Sequence, residues 1–519
     1  MPAEQLKKPE KKRRFLKWFG RRRLWVKIVL ILLALIVLEL LFTGRSAYQV
    51  VMLELRKYGV ILILVVGIIT GIVYLFRKSK LRGRVIILII ALLLIVGSIF
   101  SGLAPWEMYS YIQKYVRYKT LDKTIISQLP ETAYEPVQPR ISIQTLAEQR
   151  VRETEAVTEP FLVRDSTGYR WTMALQPSPK YNYQRFFEST QAIFSVSVEA
   201  PSPNFSEEHK FPVHFTIGER LLFSRKTHTA IIRSFSIIQL FTLEPGETRY
   251  MRDDSGKWVQ VTPLIRWKGI FFPRPEFGGV HVIKQGSTEF VKRILLGAGT
   301  IYSPSEMQQF KYLQNQNLMP EKVSRYATES FRFQEGFLAP LPMYHKGDIR
   351  IPEIKDGISK EPMTAFFKMS AAVPGAKDML YQYYALEPYD TSKHGLNTSI
   401  FIPADGEMKV YIFNHTNDGT AGTSSVPSKI RESKMAYDWS VNKVADVRPY
   451  FRNIDGKVRA LWLTSIVTAM QSGDRYLSGG VPAIAVVDAK YDRVVWLSAD
   501  KPDLWNAQIE QELGEVWKQ

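Results

Sequence analysis

The chain reads as an α+β membrane protein: three N-terminal transmembrane helices, then a large β-rich extracytoplasmic region in two lobes. Three observations predict this. Three apolar runs of about 20 residues lie near the start, each long enough at about 1.5 Å per residue to cross a bilayer core. The excess positive charge is confined to the same region. From about Phe161 the hydrophobic pattern changes to a period of two, with helical stretches returning after Ser303.

The runs are Leu24–Thr43, Tyr58–Phe76 and Val85–Ala104. None carries a polar face recurring every three or four positions, which excludes a soluble amphipathic helix. The first is no cleaved signal, because its apolar core is too long and Arg45 spoils the "TGRSA" site. Of 69 Lys and Arg, 19 precede Pro105, against 4 of 50 Asp and Glu, so this part carries +15 and the rest only +4. Ten basic residues lie before the first run, and five lie between the second and third (Arg77, Lys78, Lys80, Arg82 and Arg84). That asymmetry predicts a cytoplasmic N-terminus and 77–84 loop, with everything after Ala104 outside, in the plasma (inner) membrane. The basic tail is thus read as a topology and lipid anchor, and no nucleic acid is expected as a partner.

Two features interrupt the runs. Gly67 and Gly71 in "GIITG" permit close helix approach, within the chain's own bundle in preference to a dimer. Glu39 sits about a turn from the outer end of its run and is expected to snorkel.

Residues 105–146 follow. "PWEMYSYIQKYVRYKTLDKTIISQLP" is read as a helix whose rings, Trp106 and Tyr109 among them, either lie in the headgroup layer or pack on the outer region. Pro130, Pro136 and Pro139 then mark an extended spacer lifting that region off the bilayer. A fragment beginning near Arg140 is therefore expected to fold alone.

The outer region divides into a β-rich domain, 147–355, and an α+β domain, 356–519, with the boundary near Asp356–Glu361. Hairpins are expected at "LVRDSTGYRWTMAL" and "TRYMRDDSGKWVQVTPLIRW", and strands at "AIFSVSVEA" and "FPVHFTIGE", giving a sandwich or open barrel over Phe161–Thr300. Ser303, Pro304 and Glu306 form a capping box opening a helix through "SPSEMQQFKYLQ". A second short helix is "MPEKVSRYATESF", and strands resume at "MTAFFKMS", "DMLYQYYAL", "TSIFIP" and "MKVYIFNH". "NDGTAGTSSVPS" is read as a flexible loop, and Ser428–Val444 as helical. Trp505, Ile509, Leu513 and Trp517 fall on one helical stripe at the C-terminus. The preceding "AIAVVDAKYDRVVWLS" resembles the closing hairpin of small exported modules of the PepSY or cystatin-like kind, in which such a hairpin packs on a helix. That resemblance covers these residues alone and transfers no binding residue.

Chemistry is hard to find. There is no Cys, which excludes disulfides, thiolate nucleophiles and Cys-ligated metals. The seven His show no helical metal-ligand spacing, and phosphate-cradling loops, a nucleophile elbow and H-E-x-x-H are absent. No catalytic, metal or cofactor residue is nominated and no cofactor is expected. The loop "WKGIFFPRPEFGGV" is the candidate contact surface. Phe271, Phe272, Arg274 and Phe277 either anchor a partner or the headgroup layer, or form a buried strand crossing. The leading expectation is a membrane-anchored envelope protein that binds, assembles or senses. Its partners would be the lipid bilayer and an envelope or membrane protein, or further copies of itself. The alternatives are a membrane-tethered enzyme acting on an envelope polymer or peptide, and an accessory subunit of a transporter.

Overall fold

The computed structural model describes residues 25–39 and 45–78, isolated positions between 83 and 97, and 105–518 apart from short gaps. Those gaps are 134–135, 137, 167, 199–208, 287–292, 294–295, 354–356, 359–361, 391, 394, 416–418, 455, 473–474, 479–480 and 482. The protein is mixed α+β and mostly β. Residues 25–39 are helical and a long helix covers Ser46–Lys78. Among the described residues one helix is long and apolar enough to cross a membrane, over Ser46–Tyr74. The run Val85–Ala104 lies largely outside the described residues.

A seven-stranded sheet forms the centre. Its order is Asp122–Ile125, Lys409–Asn414, Thr398–Pro403, Met379–Pro388, Met363–Lys368 and Glu131–Ala133, with Ile349–Arg350 pairing onto Met379–Pro388. Both faces are covered. One carries Tyr384, Leu386, Ile400 and Ile412 against Val261, Val280 and Val323; the other carries Tyr383, Phe401 and Tyr411 against Val444, Trp462 and Ala485. Burial on both sides explains why "DMLYQYYAL" reads as an apolar run without alternation. Its one amide, Gln382, donates to the Met319 carbonyl at 2.7 Å.

This sheet corrects two readings: the helix expected to run on to Pro130 ends at Thr120, and the stretch "LPETAYEPVQPR" is no spacer. Residues after Thr120 supply two strands, Asp122–Ile125 running parallel to Lys409–Asn414 and Glu131–Ala133 antiparallel to Met363–Lys368, followed by a helix, Arg140–Glu148. The prolines hold extended backbone, and extended backbone is what a sheet edge accepts. Thr132 N–H donates to the Phe451 carbonyl at 2.9 Å, tying the segment further in. The sheet also crosses the boundary drawn near Asp356–Glu361, taking strands from both sides of it.

Two five-stranded antiparallel sheets occupy residues 155–215 and 243–302. Both expected hairpins form, with Asp165 opposite Gly168 and Arg252 opposite Trp258. The sheets share a cluster of Ala174, Ile193, Val213 and Phe215 against Tyr250 and Trp258, and a backbone bridge joins Phe215 to Gly286. A sheet containing Asn442–Pro449, Leu461–Ser472, Ala483–Asp488 and Val494–Leu497 closes the chain. The helix Trp505–Lys518 lays Trp505, Ile509, Leu513 and Trp517 on it, all buried with Ile484, Val486 and Val495 of the last hairpin.

Three local expectations are corrected. The capping box at Ser303 and Glu306 forms, but the helix stops after one turn, Pro304–Met307. The N–H groups of Lys311 and Tyr312 are taken by Asp254, at 3.2 and 2.9 Å, so they cannot continue a helix. The helix expected over Ser428–Val444 is Val426–Ser433, and a strand begins at Asn442. Between them Asp438 accepts from the Ser440 amide at 3.0 Å, a turn that competes with helix. "GTSSVPS" is no loose loop: Thr423 and Ser425 are buried, and the buried Glu387 accepts from the Ser424 amide at 2.9 Å.

Candidate functional site

The aromatic loop is divided between core and surface. Phe277 is buried in the central cluster, where its ring fills the space over Gly406 (φ 104°). Phe271 is 61% exposed. Phe272 lies between these extremes, its ring centre 5.8 Å from that of Tyr109. The prolines keep the loop stiff, and both Pro273 and Pro275 are buried. Arg274 pairs with Glu276 at 3.3 Å, and Lys268 and the buried Arg117 approach the same carboxylate at 3.2 and 3.4 Å. Burial lowers the Arg117 guanidinium to about 10, with Glu276 opposing the shift.

The helix Pro105–Thr120 packs on the protein's own body, which settles the fate of its described rings. Tyr109 and Tyr111 are buried. The Tyr109 hydroxyl lies 2.8 Å from both the Lys57 and the Phe271 carbonyl oxygens and donates between them. Tyr111 donates to the Phe337 carbonyl. Trp106 falls in the first turn of this helix, and its side chain is outside the described ones.

The long helix is fastened to the body along its first turns. Gln49 donates to the Leu243 carbonyl at 2.7 Å, Met52 packs on the cluster of Ile231, Phe235 and Leu240, and Lys57 lies 4.7 Å over the Trp267 ring. Arg45 donates to the Phe235 carbonyl at 3.3 Å. Glu39 does more than snorkel: it accepts the Arg45 amide at 2.8 Å and faces the Arg233 guanidinium, whose downward shift by burial it opposes. Gly67 and Gly71 sit farther along, where an added Cβ would meet no described atom within 4 Å. The structure thus gathers Phe271, Phe272, Arg274 and Tyr109 at one place and leaves Phe277 beneath it and the two glycines away from it.

A groove that sequence reasoning missed opens beside the capped turn. It holds about 1000 Å³ and is lined by Gln308, Asn315, Lys377, Tyr381, Glu407 and Tyr411, among others. Tyr381 and Tyr411 meet edge to face with ring centres 6.0 Å apart. The Tyr381 hydroxyl donates to the Lys377 carbonyl at 2.7 Å, and burial pushes it well up, so it serves as a donor. Gln314 and Asn315 (φ 54°) also line a second cleft of about 650 Å³ with Arg164, Arg252, Asp254 and Lys311. Arg252 lies 4.7 Å from the Phe211 ring centre and 5.1 Å from that of Trp258. Phenolic rings, amides and charges of both signs along a surface trough suit an extended polar ligand.

Other reactive side chains are arranged for structure. Ser399 Oγ lies 2.9 Å from His415 Nε2 and 2.8 Å from the Tyr383 hydroxyl, but Ser399 is fully buried and out of reach of a substrate. Burial lowers His415 and His281 to about 4 each. The Asp348 carboxylate is clasped by Arg332, at 2.9 and 2.7 Å, and by His345 at 2.8 Å. Burial pushes Glu219 up to about 7, although part of the residue stays exposed. No group of three His, Asp or Glu suited to a metal occurs among the described residues. No family model matches the chain, and no curated protein is significantly similar to it.

Proposed function

We propose that this is a membrane-anchored binding protein of the cell envelope, presenting its groove on the extracytoplasmic side. In this reading the runs Leu24–Thr43, Tyr58–Phe76 and Val85–Ala104 all span the bilayer, with the N-terminus and the 77–84 loop inside. The ligand is an extended polar segment of an envelope or membrane protein partner, or of an envelope polymer. The observation that carries the reading is the trough of about 1000 Å³ lined by Tyr381, Tyr411, Gln308 and Lys377 on a body whose other attachments bind the apolar helix. Its amides and charged groups supply contacts and orientation over a floor of buried Tyr381 and Tyr411, without demanding one chemistry. The presence of Asp405 and Glu407 in the same lining supports a second reading, a tethered enzyme acting on such a polymer.

The test is site-directed photocrosslinking in the native membrane. A photoreactive residue at Gln308 or Lys377, both exposed in the groove, should capture a discrete partner, while one at the exposed Met435 should not. Equal capture at all three positions, or none at the groove positions, sinks the binding reading.

A further inference from the structure

Several exposed apolar side chains of the body lie where it meets the helices of the N-terminal region. Ile237 and Ile238 are 72% and 76% exposed, on the short helix Ile237–Thr242 that packs on the helix Ser46–Lys78. Ile270 and Phe271 are 63% and 61% exposed on the aromatic loop. Leu338, Met343 and Tyr344 are exposed beside Phe337, whose carbonyl receives the Tyr111 hydroxyl and whose ring meets Tyr115 at 5.0 Å. Exposed apolar groups gathered around the attachment of apolar helices suit a contact surface.

Hydrogen bonds fix the level of this face. The Tyr109 hydroxyl joins the Phe271 carbonyl to that of Lys57, the residue just before the apolar run Tyr58–Phe76. The loop tip therefore stands at the depth where that run begins. The preceding run ends at Thr43, so residues 44–57 connect the two runs, and their described part packs on the same surface through Gln49 and Met52. That connecting stretch is sided. Gln49 and Leu53 are buried toward the body, whereas Tyr48, Val51 and Leu55 form an exposed apolar stripe at helical spacing. Helix Pro105–Thr120, beginning where the run Val85–Ala104 ends, places Phe337 and its neighbours on the same side.

We propose that this face is a lipid footprint: the body rests on the outer leaflet, with Ile237, Ile238, Ile270, Phe271 and Leu338 inserted at the boundary of headgroups and acyl chains. The inference rests on the membrane-anchored reading above. Stiffness helps, because a loop held by buried Pro273 and Pro275 loses little freedom on insertion. A footprint of this kind fixes the orientation of the groove relative to the membrane, which a single helix through a bilayer does not.

The chain contains no Cys, so single Cys residues introduced into the full-length protein carry unique fluorescent labels. Labels would be placed at Ile238, Phe271 and Leu338, at Val65 in the apolar run, and at the exposed Met435 and Leu504 on segments that pack on the C-terminal sheet. The protein is reconstituted into vesicles of phosphatidylcholine and phosphatidylglycerol, with a nitroxide-bearing lipid or with aqueous iodide as quencher. Labels at Ile238, Phe271 and Leu338 should lose most of their emission to the lipid nitroxide and little to iodide, with the reverse at Met435 and Leu504. If the three footprint labels are quenched by iodide as fully as Met435 while Val65 answers to the lipid nitroxide, the anchor stands and the footprint is refuted. Iodide quenching at Val65 refutes the anchor and the footprint together. Shielding of the three labels from both quenchers means that protein covers the face, and this also overturns the proposal.

Discussion

Three phenylalanines within seven residues of one loop should behave as three different residues. Phe277→Ala removes a ring that is 7% exposed and packed into the central cluster. Buried Phe truncations cost about 3–5 kcal/mol, and the cost depends on whether the site can collapse. Here it cannot collapse easily, because the ring lies over Gly406, which has no side chain to move into the space. The upper half of that range, about 4 kcal/mol, is therefore expected. Phe271→Ser removes a ring with most of its surface already free, and its cost should stay near 1 kcal/mol or below. Phe272, in contact with Tyr109, should fall between them. The assay is chemical denaturation of the detergent-solubilised protein, monitored by Trp fluorescence, on the three single variants. Equal destabilisation by Phe271→Ser and Phe277→Ala would refute the division of the loop into a core and a surface side.

Further outcomes follow from the same structure. A fragment starting at Pro105 should unfold cooperatively, whereas one starting at Arg140, lacking two strands of the central sheet, should aggregate or melt far earlier; equal melting of the two would show those strands to be dispensable. Asp348→Asn should cost about 2–4 kcal/mol by leaving the clasped Arg332 and His345 without their buried carboxylate, read as a fall in denaturation midpoint. Glu219 is raised to about 7, so its folded form holds a proton that the unfolded form has lost above pH 4.5; stability from this group is full below pH 4.5 and lost as pH rises through 7. The loss is at most about 3 kcal/mol, less whatever water still solvates, and Glu219→Gln should flatten the fall between about pH 4.5 and 7 in melting curves. His281 and His415, lowered to about 4, act in the opposite sense: their contribution is present above pH 6.5 and lost as pH falls through 4, so stability should peak between the two effects.

What could be read from the chain depended on how each residue's surroundings were supplied. The outer hairpins were legible because strands such as Lys210–Phe215 bury one face and leave the other wet, and that contrast is written as alternation. The C-terminal stripe of Trp505, Ile509, Leu513 and Trp517 was legible for the same reason at helical spacing. The short strands Asp122–Ile125 and Glu131–Ala133 were not, because four and three residues carry no period and their partners lie hundreds of residues away. The helix over 304–315 failed through one distant side chain, Asp254, competing for two amides. The groove was invisible for a stronger reason. Gln308, Lys377, Tyr381, Glu407 and Tyr411 come from three separate segments, and only the register of the central sheet makes them neighbours.

Treating residues 122–146 as part of the body changes the mechanics of any signal or load passing to the membrane. An extended spacer would let the outer region drift by tens of ångströms, with its groove facing any direction. The structure instead runs directly from helix Pro105–Thr120 into the central sheet: Arg117 meets Glu276, Tyr109 holds the aromatic loop, and Asp122–Ile125 pairs with Lys409–Asn414. Lys409 and Tyr411 of that partner strand also line the groove. The path from helix to groove therefore crosses one strand pair. If the groove binds as proposed and this strand pair moves with the helix, displacement of the helix would shift the groove lining, and ligand would bear on the helix to the same extent, since coupling between two sites is reciprocal. A second tie runs from Arg117 to Glu276, beside the groove-lining Phe277, and substitution at Arg117 should weaken it before it disturbs the groove itself, because the guanidinium lines no part of the cavity. An Arg117→Met variant that keeps its fold should thus retain groove crosslinking in the detergent-solubilised protein. If helix and groove are coupled, it should reduce whatever difference the parent shows between detergent and bilayer. Identical crosslinking of variant and parent in both settings would show that the helix and the groove are mechanically independent.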